Sequence, residues 1–209
     1  IEHQPSKLVM GVRFPLGVHL FVIFKIMIWL WCLALLLILI AVIFLVEEFF
    51  NLIFRGYAPL VSSKNKILDE AVRQLISLDL PANAKIYELG CGHAGFLRRL
   101  EKATKNQKKY KLVGVEVISS VYLLAKLQLL LVGSKIKIVK KNFLKMSLKD
   151  VDCFYCYLNG PTMARLSLKL KKEAKPGAIL ISNQFELPGY EPLKEIQVQP
   201  TQRLRIYKL

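Results

Sequence analysis

The uncharged stretch from Ile26 to Val46 limits what this chain can fold into more than any other feature. It contains 21 residues, IMIWLWCLALLLILIAVIFLV, of which fifteen are Leu, Ile, Val or Phe. At about 1.5 Å per residue, a helix of this length spans roughly 31 Å, which matches the hydrocarbon core of a bilayer. Lys25 can extend to the headgroups at one end, where Trp29 and Trp31 would anchor the helix at the interface. The stretch therefore predicts one transmembrane helix.

A cleaved signal peptide is the alternative interpretation of this stretch. The apolar run is too long for the apolar part of a signal peptide, and Glu47-Glu48-Phe49-Phe50 follow it instead of the small residues of a cleavage site. We therefore expect an anchor that is not cleaved. Because the chain begins with Ile1, we also expect it to be a fragment or a trimmed form of a longer chain.

The residues after this stretch are strongly basic. The whole chain has 31 Lys and Arg against 15 Asp and Glu, a formal net charge of +16. Removing the three basic residues and one acidic residue of 1–46 leaves 28 basic and 14 acidic residues in 47–209, a net charge of +14. Such a charge beside a bilayer attracts anionic headgroups. Nucleic acid is the other usual partner, but we see no interleaved aromatic and basic motif, so we expect a membrane partner and no nucleic acid.

The chain after the anchor is predicted to form a linker and one folded domain. We place the N-terminal segment with the transmembrane helix at 1–46, an interfacial linker at 47–61 and the domain at 62–209. In the linker, Gly56 and Pro59 would end a continuing helix. From Ile67 to Ile76, pairs of apolar residues repeat every four positions, which predicts an amphipathic helix.

Strands and helices alternate through the domain. Strands are predicted at 85–89, 112–117, 136–139, 151–158 and 178–183, and helices at 96–102, 120–131 and 162–174. This order is typical of an α/β domain with a Rossmann-like, doubly wound and mostly parallel sheet. Two further strands, 194–198 and 203–209, have no helix between them and predict a C-terminal antiparallel hairpin.

The cysteine pattern gives little support for a metal site. Of Cys32, Cys91, Cys153 and Cys156, the last two form a C-x-x-C motif. They lie three residues apart in a predicted strand, so their side chains would face opposite ways. Without a second pair, we expect no zinc or other metal, and we expect buried thiols in a reducing compartment.

Two motifs follow the first two predicted strands of the domain. The first, ELGCGHAG at 88–95, lies between a strand and a helix, where glycines let the backbone approach a ligand and the helix N terminus offers N–H groups. The second, GVEV at 114–117, ends the next strand with a carboxylate that can accept both hydroxyls of a ribose. Together they predict a site for a ligand that contains adenosine.

This ligand could be a dinucleotide or S-adenosylmethionine. Gly90, Gly92 and Gly95 match the dinucleotide pattern G-x-G-x-x-G, and Glu116 stands 21 residues after Gly95. Glu88 argues against a dinucleotide, because its carboxylate would repel a pyrophosphate. The ammonium and sulfonium groups of S-adenosylmethionine would instead be attracted to it. We therefore favour S-adenosylmethionine as the cofactor.

With these motifs the chain resembles the small membrane-anchored protein lysine methyltransferases that modify ATP synthase subunit c and the adenine nucleotide translocase in mitochondria. The resemblance covers about residues 20–195. Beside the anchor and the amphipathic helix, its elements are 57–61, 88–92, 114–116, 153–158, 161–163 and 185–190. It implies a class I S-adenosylmethionine-dependent methyltransferase that transfers a methyl group directly to a lysine, without a covalent intermediate or a metal.

The motifs and the resemblance give a set of candidate site residues. Those expected to contact the cofactor are Glu88, Gly90, Cys91, Gly92, Gly95, Glu116, Val117, Asn142 and Phe143. Those expected to face the methyl acceptor are Tyr57, Asn159 and Pro161, although the last two also fit an ordinary turn. No residue is assigned as a catalytic base, and His93 fits a packing role better. The chain departs from the family at Ala94, where a glycine is expected, and at Asn142, where an aspartate is expected.

Three functional hypotheses remain open. The chain could be a protein-lysine N-methyltransferase that acts on a membrane protein, or a membrane-tethered methyltransferase for a small or lipid-like molecule. It could also be a cofactor-binding scaffold without catalytic activity, which Ala94 and Asn142 suggest. We expect the domain after Val46 on the cytoplasmic side, or on the matrix side in an organelle, because S-adenosylmethionine is made and kept there.

Overall fold

A computed structural model describes residues 16–54, 65–105 and 110–209 of the chain. The chain forms two compact units, Ile1–Val46 and Glu47–Leu209, which are described separately. The linker residues Gly56, Tyr57 and Pro59 lie outside the described ranges.

Helix α1 (Leu16–Phe54) contains the apolar stretch. Its 39 residues include Phe21–Glu47, a 27-residue segment that is long and apolar enough to cross a membrane. Trp29 and Trp31 are 75% and 68% exposed, because apolar side chains point outward around the whole helix. The predicted span, 26–46, lies inside this segment. The helix continues beyond Val46 to Phe54, so about half of the predicted linker is helical.

The second unit is built on one seven-stranded sheet with the order β3-β2-β1-β4-β5-β7-β6. Its strands are β1 (Lys85–Leu89), β2 (Lys111–Glu116), β3 (Lys137–Lys140), β4 (Cys153–Cys156), β5 (Ile179–Asn183), β6 (Lys194–Gln199) and β7 (Gln202–Lys208). Its helices are α2 (Asn65–Ser77), α3 (Gly95–Thr104), α4 (Ser119–Leu131) and α5 (Gly160–Glu173). Strands β1 to β5 are parallel, so their carboxyl ends meet at one edge of the sheet.

Strand β7 lies between β5 and β6 and runs antiparallel to both. Leu204 and Ile206 of β7 pack in the core on one side of the sheet and Tyr207 packs on the other, as a strand buried on both faces requires. Strand β6 is largely exposed or half-buried, which suits the edge. The predicted Rossmann-like fold with a C-terminal antiparallel hairpin is therefore confirmed.

Helices cover both faces of this sheet. Helices α2 and α3 pack on one face, where the rings of Phe96 and Tyr155 stack with their centroids 4.2 Å apart. Helix α5 packs on the other face through Met163, Leu166 and Leu170. A sheet with helices on both faces is the arrangement that alternating strands and helices predict.

Strand β4 is shorter than its apolar sequence suggests. The predicted strand covered 151–158, but only Cys153–Cys156 pair with both neighbours. Val151 and Leu158 are apolar because they are buried in the layer beneath α5, not because they belong to the strand. Within β4, Cys153 packs in the layer of α2 and α3 and Cys156 packs in the layer of α5, and both are free thiols. Among the described residues, no three His, Cys, Asp or Glu side chains are grouped to hold a metal.

Candidate functional site

The turn between β1 and α3 is fixed against the neighbouring strand. Gly90 N and Cys91 N both donate to Val115 O of β2, at 2.9 and 3.1 Å. Gly90 and Gly92 have φ angles of +67° and +51°, in the left-handed region that glycine reaches without strain. These glycines bring the turn back across the carboxyl ends of β1 and β2, where ligands bind in open α/β sheets.

Ala94 takes the same left-handed backbone conformation, with a φ angle of +54°, and stands at the N-cap of α3. An alanine in this region costs about 1 to 2 kcal/mol relative to the right-handed conformation. The departure from the family's glycine therefore keeps the turn and adds strain to it. Gly95 serves a different purpose, because a Cβ atom there would lie 3.3 Å from Leu68 Cδ1 of α2.

The carboxylate of Glu116 joins the two loops of the site. Its Oε2 atom accepts a hydrogen bond from Gly92 N at 3.0 Å. Its Oε1 atom accepts from Val117 N at 2.7 Å and from Ile118 N at 3.0 Å. The side chain is 5% exposed at the end of β2. Glu116 thus fixes the turn after β1 to the start of α4 and places a carboxylate at the carboxyl edge of the sheet.

Glu88 is a second buried carboxylate, at the end of β1. Its Oε2 atom accepts from Leu97 N of the first turn of α3 at 3.2 Å, and its side chain is 6% exposed. Burial, with a smaller contribution from the nearby charge of Glu116, raises the pKa of the Glu88 carboxyl to about 8, although the hydrogen bonds from α3 act to lower it. A cation beside Glu88 would lower this pKa and stabilise the ionised form.

Close packing shapes the wall of the site. A Cβ atom on Gly114 would lie 2.5 Å from Ile138 Cδ1 and 2.8 Å from Cys91 Sγ, so only glycine lets the turn settle on β2. Burial raises the pKa of the Cys91 thiol well above its ordinary value, which keeps it neutral. His93 Nδ1 in the same turn is buried and makes no hydrogen bond among the described residues. Two buried carboxylates at the carboxyl edge of the sheet are compatible with a ligand that carries a cation and hydroxyl groups, as S-adenosylmethionine does.

Asn142 and Phe143 follow β3 at the same edge. The Asn142 Oδ1 atom accepts from Leu144 N at 2.9 Å and caps a short 3-10 helix, Phe143–Lys145. Phe143 is half-buried against the layer beneath α5. The asparagine therefore has a local structural role in addition to its predicted contact with the adenine, and one acceptor oxygen can serve both.

The predicted acceptor residues separate into two groups. Asn159 follows β4 and caps α5, with its Oδ1 atom accepting from Thr162 N at 3.1 Å, and Pro161 stands in the first turn of that helix. Both therefore have an ordinary role at the start of a helix, at the edge where the acceptor would enter. Tyr57 lies outside the described residues.

The sequence analysis did not predict an aromatic pair that lies at this edge. Tyr157 follows β4 and Phe185 follows β5, and their rings lie 6.3 Å apart and 29° from parallel. Both side chains are half-buried. Because β4 and β5 are neighbours in the sheet, an aromatic residue shortly after each strand was the signal that could have identified the pair.

The fold of this chain is shared with proteins of known structure. Two solved methyltransferases share the fold. An RNA methyltransferase from Salinibacter ruber in complex with S-adenosyl-L-homocysteine has a TM-score of 0.62 and 16% identity, and the match covers 71% of this chain and 93% of that one. A SAM-dependent methyltransferase from Aquifex aeolicus has a TM-score of 0.52 and 15% identity, covering 70% and 98%.

Residues 88–194, just over half of the chain, match the ANTKMT methyltransferase domain. The chain therefore belongs to this methyltransferase family. It is also 29% identical over 146 residues to a protein-lysine N-methyltransferase of Saccharolobus islandicus (strain REY15A), a match that covers 68% of this chain and 86% of that protein. The chain is a methyltransferase of class I fold whose family implies S-adenosylmethionine as the cofactor, as the sequence predicted.

Replacing Glu116 tests the ribose contact. Glu116→Ala should keep the sheet and helices folded but release the two loops that the carboxylate joins. It should weaken the binding of S-adenosylmethionine by at least about 1.5 to 3 kcal/mol, the usual worth of hydrogen bonds to a charged group. Calorimetry measures the affinity, and circular dichroism checks the fold. Asp150→Ala is the matched control, because Asp150 is an exposed carboxylate at the opposite edge of the sheet, paired with Lys85. Unchanged affinity in a folded Glu116→Ala protein would remove Glu116 from the site.

Replacing Glu88 tests the buried charge through the pH dependence of stability. Its pKa of about 8 in the folded chain lies above the ordinary value of 4.5, so the unfolded chain ionises first and stability falls as pH rises between these values. Thermal unfolding is measured in detergent at pH 5 and at pH 8. The stability lost between these two pH values should be smaller in Glu88→Gln than in the unchanged protein, by on the order of a few kcal/mol. The same loss in both proteins would show that Glu88 is not held protonated.

Proposed function

We propose that the chain is a membrane-anchored protein-lysine N-methyltransferase that acts on a membrane protein. The observation that carries this proposal is the combination, in one chain, of a 27-residue apolar helical segment with a methyltransferase domain whose relative is a protein-lysine N-methyltransferase. The first feature supports a site held near a bilayer, and the second supports a lysine acceptor. We keep 1–46 as the anchor segment, 47–61 as the linker and 62–209 as the methyltransferase domain.

The proposed roles at the cofactor site follow from charge and position. S-adenosylmethionine supplies a methyl group already activated on a sulfonium. Glu88 would face its ammonium group and Glu116 its ribose hydroxyls, while Asn142 and Phe143 would contact the adenine. The remaining predicted contacts come from the backbone and side chains of the two loops, at Gly90, Cys91, Gly92, Gly95 and Val117.

The proposed acceptor side lies at the carboxyl ends of β4 and β5. Tyr157 and Phe185 would offer apolar ring surface for the stem of a lysine, and Asn159 and Pro161 follow Tyr157 along the chain. Partial burial there would disfavour the charged amine and lower the lysine pKa, so the amine could react without a dedicated base. The contribution of these residues is to exclude water and to hold the amine in line with the methyl group.

The proposed acceptor lies close to the bilayer surface. Helix α1 ends at Phe54 and α2 begins at Asn65, so ten residues separate them. Even fully extended, such a segment reaches at most about 36 Å. A site tethered in this way meets membrane proteins and lipids at high effective concentration and soluble proteins rarely. The family of the domain then favours a protein lysine over a lipid.

The acceptor can be identified by radiolabelled methyl transfer. Host membranes are incubated with the chain 1–209 and S-adenosylmethionine labelled in its methyl group, and the products are resolved by gel. The Glu116→Ala protein, with reduced activity, is the control. We expect a labelled membrane-protein band, with the methyl group on lysine by mass spectrometry. Label only in the lipid front would favour the small or lipid-like acceptor, and label only in soluble proteins would contradict the membrane acceptor. The absence of any label would favour the non-catalytic scaffold.

The side of the membrane is a separate prediction. We place the domain on the cytoplasmic side, or on the matrix side of an organelle, where the cofactor is available. Basic residues after the anchor slightly outnumber those before it, which agrees with the positive-inside rule; they are Arg55, Lys64, Lys66 and Arg73 against Lys7, Arg13 and Lys25. Protease treatment of sealed vesicles that keep the cytoplasmic side inside should leave the domain intact. Digestion of the domain in vesicles that remain sealed would contradict this orientation.

A further inference from the structure

Helix α4 presents a face of five leucines away from the core. Leu123, Leu124, Leu127, Leu130 and Leu131 form this face, which we call the α4 leucine face. Their spacing places them on one side of the helix, and they are between 44% and 76% exposed. The opposite side of α4 is also apolar, because Val121, Ala125 and Leu129 pack into the domain. The helix is therefore apolar on both sides, although only one side is buried.

An exposed apolar face of this kind is unusual on the surface of a soluble protein. Single exposed apolar side chains are normal, whereas a contiguous apolar patch marks an interaction surface. Helix α5 provides the comparison within the same domain. Its outward side is mostly polar and carries one strongly exposed leucine, Leu168, at 65%. The five leucines of α4 therefore indicate an apolar partner, whereas the single exposed Leu168 of α5 does not.

Exposed lysines lie on α4 and on the strand against which it packs. Lys126 is exposed on α4 itself, with its Nζ atom 5.9 Å from the centroid of the Tyr122 ring. Helix α4 packs on the edge strand β3, and exposed lysines lie on this strand and beside it, at Lys135, Lys137, Lys140 and Lys141. An apolar face bordered by cations matches the chemistry of an anionic lipid surface, with acyl chains beneath the headgroups.

The beginning of α4 is held by the residue that follows the apolar stretch. Glu47 comes directly after Val46 and belongs to the second unit. Its two carboxylate oxygens accept hydrogen bonds from Ser119 N at 2.9 Å and from Ser120 N at 3.3 Å, in the first turn of α4. A carboxylate at a helix N terminus is favourable, because it satisfies free N–H groups and the helix dipole. Glu47, the first residue of the second unit, therefore fixes the start of α4 within that unit.

We propose that the α4 leucine face is a membrane-docking surface, which enters the interfacial region of an anionic bilayer while the surrounding lysines contact the headgroups. This inference rests on the proposed membrane location of the chain and is independent of its methyl acceptor. Because Ser119 follows Glu116 by three residues, docking through α4 holds the carboxyl edge of the sheet, and with it the cofactor site, beside the headgroups.

A second copy of this chain fits the same face less well. In a symmetric pair the same surface serves both partners, so the lysines around each leucine face would lie opposite one another. Their repulsion would oppose the association, whereas anionic headgroups attract the same lysines. The charge around the face therefore favours the bilayer.

The test is to measure the depth of α4 in vesicles that contain the full-length chain. Vesicles of phosphatidylcholine with about 30% phosphatidylserine are compared with vesicles of phosphatidylcholine alone. A spin label is attached at Leu127→Cys in a Cys32→Ala background, because Cys91, Cys153 and Cys156 are buried. Leu168→Cys is the matched control, since Leu168 is 65% exposed and Leu127 is 53% exposed.

We expect the label at 127 to collide with a water-soluble nickel chelate at least about threefold less often in anionic vesicles than the label at 168, and to remain accessible to oxygen. The difference should shrink in vesicles of phosphatidylcholine alone. Equal nickel accessibility at both positions would overturn the proposal, and so would spin–spin broadening at 127 in vesicles and in detergent, which would show a second copy on the face. Failure of the chain to float with vesicles would overturn the membrane location itself and this proposal with it.

Discussion

The hydrogen bonds to the Glu116 carboxylate are the interaction on which the arrangement of the site depends. One side chain accepts from Gly92 N on one side and from Val117 N and Ile118 N on the other. The turn after β1 and the start of α4 are therefore fixed to each other and to the end of β2. Hydrogen bonds to a buried charge are each worth about 1.5 to 3 kcal/mol, so this carboxylate stabilises the loops before any ligand binds.

Two buried carboxylates lie at one edge of the sheet, and a positive charge beside them would stabilise their ionised forms. Glu116 accepts hydrogen bonds from three N–H groups of the two loops. Glu88 accepts from backbone N–H groups of the first turn of α3, and yet burial and the charge of Glu116 raise its pKa to about 8. Such a site favours a ligand that brings positive charge to Glu88. For the same reason Glu88, two residues before Gly90, suits a cationic ligand and would repel a pyrophosphate.

The sequence predicted the fold, and it predicted where a candidate site residue lies when that position follows from a place at the end of a strand. Alternating elements predicted the sheet, and Glu88 and Glu116 lie at neighbouring strand ends because parallel strands end at one edge. Asn142 and Asn159 are local caps, which their sequence context does not distinguish from ligand contacts. Tyr157 and Phe185 meet only through the pairing of β4 with β5, and this pairing is not encoded locally.

The α4 leucine face shows that an exposed apolar surface cannot be told from a core face by its sequence alone. Its leucines give the same signal in the sequence as core residues, because exposure depends on what the fold places against each side of a helix. The fold covers one side of α4 with the sheet and fixes the first turn through Glu47, next to the loop that Glu116 holds. Docking of this face and cofactor binding would therefore act on the two ends of one short segment, 116–119. On the proposed function, this segment and the linker would together limit how far the methyl group can lie from the bilayer surface.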